Sequence, residues 1–261
     1  MKRIVLTFVM ALILTLMFTL TAVADSEIIK VNTEESTISI NLNVNDYSEF
    51  KVIVKSEKGK YTYNLYSQSE ILPLQMGNGK YTVGVYQKIE GKRYKLVTKK
   101  EFVLNTEENK VYLASSQNVT WNNESATTTL AHQLTENLKT DKEKLEAIHS
   151  YIINNITYDK SKALSVTTRY NPNAEATLKD SKGICYDYAS LTAAMLRSVG
   201  IKTKLVKGNS TYTRFYHAWN EVLIDGSWLV VDTTADAAYN AQDINVSYIK
   251  NTDDYKADKV Y

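Results

Sequence analysis

Residues 217–234 read HAWNEVLIDGSWLVVDTT, and the pairing that this stretch dictates decides the fold of the C-terminal part. Asp225-Gly226 is a strong signal for a two-residue hairpin turn, whose centre needs residues that tolerate positive φ. Strand-like text flanks it, RFYHAWNEVLI (214–224) before and SWLVVDTT (227–234) after. A two-residue loop pairs Ile224 with Ser227, and the rest of the ladder follows. Trp219 then stands opposite Asp232, and His217 opposite Thr234. Side chains alternate between faces, so His217, Trp219 and Asp232 share one. His217 and Asp232 become diagonal neighbours, about 7–8 Å apart at the backbone and within reach through their side chains. One residue more or fewer in the loop would turn Asp232 to the other face. The turn alone therefore predicts an imidazole oriented by a carboxylate.

Upstream, residues 183–200 read GICYDYASLTAAMLRSVG. Tyr188, Leu191, Ala194, Met195 and Val199 lie along a helix predicted over Tyr186–Val199, and Gly200 closes it as a C-cap. Cys185 stands at the helix start. There the unpaired N–H groups and the positive dipole end favour a thiolate and can bind an oxyanion. It is the one Cys of the chain, so no intramolecular disulfide can form. A lone Cys commonly serves as a small buried hydrophobe. Here its place beside a helix terminus, in a chain with a His–Asp hairpin, points to a nucleophile. With that helix packed on the His217 face, Cys185, His217 and Asp232 form a thiol–imidazole–carboxylate triad. Without that packing, Asp232 is a solvated turn residue and His217 a packing residue.

The rest of the chain frames this site. Residues 1–26 read MKRIVLTFVMALILTLMFTLTAVADS. Lys2-Arg3, an apolar run from Ile4 to Val23 and the A-x-A site Ala22-Val23-Ala24 predict a signal peptide over residues 1–24. The alternative is an uncleaved membrane anchor. Either places the remainder outside the cytoplasm. Removing Lys2 and Arg3 takes the formal charge from +2 to zero, so no basic excess suggests nucleic acid as a partner. Over residues 25–115, STISINLNV, FKVIVKS, KYTYNLYS, KYTVGVYQK and YKLVTKKEFVL alternate with period two between glycine turns. About six or seven short strands predict a small antiparallel sandwich, with an immunoglobulin-like arrangement as one option. Its tyrosines (Tyr61, Tyr63, Tyr66, Tyr81, Tyr86, Tyr94) suit half-buried strands, or a carbohydrate-stacking surface. Residues 116–261 switch to helical spacing, with Leu130, Leu134 and Leu138. Thr140 and Glu143 then make a capping box before Leu145, Ile148 and Ile152. His149 in that helix reads as a surface or packed residue. Residues 159–180 read as a polar surface loop, and IKTKLVKG as a strand.

The text ATLKDSKGICYDYASLTAAMLRSVGIKTKLVKGN (176–209), followed by HAWNEVLIDGSWLVVDTT, resembles the transglutaminase-like superfamily in its bacterial, papain-related branch. The upstream KLEAIHSYIINNITYD (144–159) is similar to the helix that precedes the catalytic loop there. The resemblance covers roughly residues 125–235 through G-x-C before a helix, H-A-W on a strand, D-G-x-W and V-D. It implies an α+β fold in which a helix carrying the Cys packs on an antiparallel sheet carrying His and Asp. It assigns Cys185 as nucleophile, His217 as general base and acid, and Asp232 as the orienting carboxylate. The implied activity is acyl transfer through a thioester: a protease or amidase on extracellular or cell-wall peptides, or a cross-linking transglutaminase. Some members have lost the triad and serve as binding or scaffold proteins. No cofactor is implied. The calcium sites of animal transglutaminases have no counterpart that can be placed, so no metal is expected. Where the family often has Pro after the Asp, this chain has Thr233. Tyr158 and Trp219 are supporting candidates, while Asp187 and Tyr188 read as structural.

Overall fold

A computed structural model describes residues 28–261. The signal-peptide reading and its cleavage point lie outside the described residues. The alternating runs fold into strands β1 (Ile29–Asn32), β2 (Thr37–Asn41), β3 (Phe50–Ser56), β4 (Gly59–Asn64), β5 (Ser69–Pro73), β6 (Gly79–Glu90) and β7 (Arg93–Leu104). They make a three-stranded sheet, β1-β2-β5, and a four-stranded sheet, β4-β3-β6-β7, all antiparallel. The inward residues of both sheets, among them Ile38, Ile40, Val52, Val54, Leu72, Val83 and Val85, form one core. This is a sandwich, as the period-two pattern demands. Its strand order differs from the 1-2-5-4 and 3-6-7 sheets of the constant immunoglobulin type. The fourth strand lies on the other sheet.

Beyond a connecting stretch come α1 (Ala126–Thr135), α2 (Asp141–Asn155), β8 (Thr157–Tyr158), α3 (Lys160–Ser165), α4 (Ala174–Asp180), β9 (Lys182–Gly183) and α5 (Cys185–Ser198). The remainder is β10 (Thr203–Ser210), β11 (Thr213–Ile224), β12 (Ser227–Val231), α6 (Thr233–Asn240), β13 (Ile249–Lys250) and β14 (Tyr255–Val260). The Thr140–Glu143 capping box is present at the start of α2. Residues 159–180 are not a plain loop, because α3 and α4 lie within them. Each is one to two turns long and starts on a side-chain cap, Asp159 for α3 and Asn173 for α4. Segments so short carry too few apolar repeats to show a helical period.

The five-stranded sheet of the C-terminal part runs β13-β12-β11-β10-β14, antiparallel throughout. Ile224 pairs with Ser227, and the ladder continues to Asn220 opposite Val231. Asp225 and Gly226 have φ of 48° and 79°, the pair of positive values a tight hairpin turn requires. The ladder stops one residue before Asp232, which leaves it to cap α6. The helix carrying Cys185 packs on the face opposite to the one anticipated. Ala218, Val222 and Val231 share a core with Leu191, Ala194 and Met195 of α5, and Asn220 Nδ2 donates to Ala189 O at 2.9 Å. Trp219 points the other way, into a small cluster with Val206 and Val230. The Trp219 face also carries Val206, Leu223, Trp228 and Val230, so alternation along the strands does not by itself choose the face that α5 covers.

Arg197 of α5 ties these layers together. It is 2% exposed and donates to three carbonyls: Thr203 O at 2.9 Å, Ala114 O at 2.7 Å and Tyr261 O at 3.0 Å. Burial pulls its pKa down to about 9. The sandwich docks onto the helical part through Arg169, which donates to Leu65 O at 3.0 Å, and through Gln117, which donates to Asn64 O at 2.9 Å and Glu70 Oε2 at 3.0 Å. Replacing Arg197 by Ala strands three carbonyls and empties a guanidinium-sized space. A loss of about 3 kcal/mol is expected, roughly 6–12 °C in Tm for a chain of this size. A thermal melt within 2 °C of the unsubstituted chain (about 0.5–1 kcal/mol) would contradict this.

Candidate active site

Cys185 is the first residue of α5, and Ile184 is its cap. The turn into it is held by Asp187, which is fully buried. Asp187 Oδ2 accepts from Ile184 N at 2.9 Å and from Lys162 Nζ at 2.7 Å, and Oδ1 accepts from Tyr170 OH. Gly183 makes room for it, since a Cβ there would stand 2.6 Å from Asp187 Cβ. Asp187 is thus structural, as the sequence suggested, and the segment 159–180 supplies both of its side-chain donors. The first N–H groups of α5 have no partner one turn earlier, and Cys185 N–H is among them. The thiol itself is half-buried.

His217 lies on β11 opposite Gly208 of β10. Asp232 is the α6 cap and is fully buried. Three donors converge on its carboxylate. Ala235 N reaches Oδ1 at 3.0 Å, while His217 Nε2 at 2.7 Å and Tyr255 OH at 2.9 Å share Oδ2. With Nε2 facing the carboxylate, Nδ1 is the ring nitrogen left for the thiol, and Cys185 lines the same groove as His217. Burial alone would depress the imidazole pKa. The hydrogen bonds and charges of Asp232 and Cys185 outweigh it and push His217 up from 6.5 to about 10. His217 thus meets Asp232, as the hairpin register required, and shares a groove with Cys185, although α5 packs on the other face of the sheet.

Packing fixes the imidazole further. The Trp219 ring lies 6.4 Å from that of His217 at 24°, and the Tyr255 ring lies 5.0 Å from Trp219. Gly208 permits this layer: a Cβ there would stand 2.1 Å from Lys256 O and 3.0 Å from the Trp219 ring. A groove of about 330 Å³ opens beside Cys185 and His217, lined by Tyr158, Tyr212, Phe215, Ala235 and Ala238.

Two groups escaped the sequence reading. Burial and the Asp232 charge drive the Tyr255 pKa far up, so its phenol keeps its proton and donates. It lies beyond the family motifs, and nothing in its local text marks it. His149, read as surface or packed, is buried, with Nε2 2.9 Å from Asp236 Oδ2. Lys250 Nζ holds the other oxygen of that carboxylate. Asp236 sits one turn after Asp232 on α6, and its N–H donates to Asp232 O at 3.0 Å. The cluster thus pins α6 between α2 and β13. Nothing in the sequence around His149 marks its partner.

Residues 128–233 match the model of the transglutaminase-like superfamily core. The likeness to that superfamily rests on this segment. Over 105 residues it is 34% identical to a UPF0252 protein of Methanocaldococcus jannaschii, covering 36% of this chain and 30% of that one. Over 115 residues it is 31% identical to Kyphoscoliosis peptidase of Homo sapiens, covering 40% of this chain and 17% of that one. The chain spans less than a third of the length of these relatives. Among solved structures it is similar to a candidate cysteine protease from Cytophaga hutchinsonii, at 15% identity and TM-score 0.43, over 76% of this chain and 74% of that one. Red sea bream transglutaminase aligns at 11% identity and TM-score 0.33, over 76% and 48%.

The raised imidazole pKa has a definite sign. His217 binds its proton more tightly in the folded chain, so the resulting stability is full below pH 6.5 and is lost as pH rises through about 10. The chain has three His, which makes ring resonances assignable by NMR. The His217 ring is expected to stay protonated until about pH 10. In Asp232→Ala the carboxylate is gone and the midpoint falls. A midpoint near 6.5 in the unsubstituted chain would refute the assignment.

Proposed function

We propose that the protein is a cysteine-dependent acyl-transfer enzyme that hydrolyses peptide or side-chain amides outside the cytoplasm. The observation that carries this is His217 bonded to the buried Asp232 carboxylate at 2.7 Å and lining one groove with the Cys185 thiol. In this scheme His217 already holds the proton of Cys185, the two forming an ion pair. The thiolate sulfur bonds to the carbonyl carbon, and the C=O π pair moves onto oxygen. That oxyanion lies at the N-terminus of α5, where Cys185 N–H is free to donate. Collapse of the tetrahedral species breaks the C–N bond, the leaving amine takes the proton from His217, and a thioester remains. Water, deprotonated by His217, then attacks the thioester and releases Cys185.

Asp232 and Tyr255 hold the ring throughout. Tyr158 supplies the second oxyanion donor. Its phenol lines the groove with Cys185 and has no hydrogen-bond partner among the described residues. Hydrolysis is favoured over cross-linking because the groove rim is wet: Phe215 is 68% exposed and Tyr158 43%. Transfer to an amine needs a thioester shielded from water. The apolar run and A-x-A site of residues 1–24 support export, and cell-wall or other extracellular peptides as substrates.

Mass spectrometry of casein or wall-peptide digests tests this. Cleaved products from the unsubstituted chain and none from Cys185→Ala are expected. Incorporation of a labelled amine faster than hydrolysis would replace the hydrolase with a cross-linking enzyme. Iodoacetamide should label Cys185 in the folded chain, more slowly in His217→Ala; an inert thiol would favour a binding protein. Tyr158→Phe should lower kcat about 10²-fold with KM little changed.

A further inference from the structure

Lys207 lies on β10 opposite Ala218 of β11. It therefore faces the α5 side of the sheet, away from the His217 side. It is half-buried. Its Nζ stands 4.0 Å from the ring centroid of Tyr186, the residue after Cys185, and 5.9 Å from that of Tyr216. Lys162, Lys204 and Lys250, also drawn out of solvent, hold carboxylates: Asp187, Glu221 and Asp236. Lys207 has neither a hydrogen-bond acceptor nor an ion-pair partner among the described residues. Asp258 is near enough to act on it through charge, but its Oδ2 is taken by Tyr216 OH at 2.8 Å. A lysine that merely packed its stem would carry its ammonium out to water, not against an aromatic face. Burial lowers the Lys207 pKa, and the charges of Cys185 and Asp258 oppose that shift, so the ammonium and the thiol feel one another.

The two faces of β11 give the nucleophile two unlike flanks. Thr213, Phe215 and His217 point to the apolar groove. Tyr216 and Ala218 alternate to the side where Lys207 waits. We propose that Lys207 is a carboxylate-binding subsite beside Cys185. The substrate is then a peptide amide with an acidic group next to the scissile bond on one side and an apolar side chain on the other. This rests on the triad reading for the word substrate, though not for the binding itself.

Paired alkylation tests it without turnover. Iodoacetate carries a carboxylate and iodoacetamide does not, yet both react at the same sulfur. The iodoacetate-to-iodoacetamide rate ratio at Cys185 should fall about fivefold in Lys207→Met and hold in Lys207→Arg. Thermal melts establish that both variants are folded. An unchanged ratio in Lys207→Met overturns the proposal. So does a common shift in the pH midpoint of both reagents at constant ratio, which would make Lys207 a thiolate stabiliser only. A preserved ratio response in a chain inert toward amides would leave the subsite standing and sink the enzyme. The carboxylate's source is read by protection against iodoacetamide. Acetyl-alanine presents a terminal carboxylate and acetyl-glutamic α-amide a side-chain one. Whichever protects the unsubstituted chain and not Lys207→Met names the class, and protection by neither counts against the subsite.

Discussion

Three donors from three separate elements meet on one carboxylate that water cannot reach: a helix N–H, a strand imidazole and a phenol from the last strand converge on Asp232. Stranding a charge in such a place costs several kcal/mol, so the fold has to deliver all three donors together. Delivering them fixes much else. The hairpin must turn in two residues, β12 must end before its ladder does, and α6 must start where β12 stops. β14 must lie beside β10 so that Tyr255 can reach across. The imidazole inherits its orientation, its tautomer and its raised pKa from this convergence, and its remaining nitrogen is left for sulfur.

The nucleophile comes to the imidazole by a route that alternation along β11 did not suggest. The helix lies on one face of the sheet and His217 on the other. They meet because Cys185 is the first residue of its helix, at the end of the packed layer rather than within it. Asp187 keeps it there. The arrangement has a chemical use: the same helix start that exposes the thiol leaves its N–H groups unpaired beside it.

How much of this was legible follows from the range over which each signal acts. Turn chemistry is local, so Asp225-Gly226 fixed the Ile224–Ser227 pair, and from it the Asp232–His217 encounter. Helix α5 announced itself by period and by Gly200. The sandwich core followed from period two. By contrast, which face α5 would cover is set by tertiary packing, because both faces of the sheet carry large apolar residues. Helices α3 and α4 are held by Asp159 and Asn173 caps too short-ranged to show in a hydrophobic pattern. Tyr255 and Lys250 come from beyond the recognisable motifs, and their partners are set by tertiary packing alone. His149 in isolation carried no hint of Asp236, because buried ion pairs leave no spacing rule between distant elements.

The way the sandwich is attached has a mechanical corollary. Arg169, bonded to the carbonyl of Leu65, is followed in sequence by Tyr170, which holds Asp187, which holds the amide of Ile184 just ahead of the thiol. Sandwich and nucleophile are thus coupled in series, like links of a tether. A fragment trimmed to the family core at 128–233 would cut that tether and discard the phenol of Tyr255 as well. The unit that evolution recognises by its motifs is therefore smaller than the unit that can hold its own geometry.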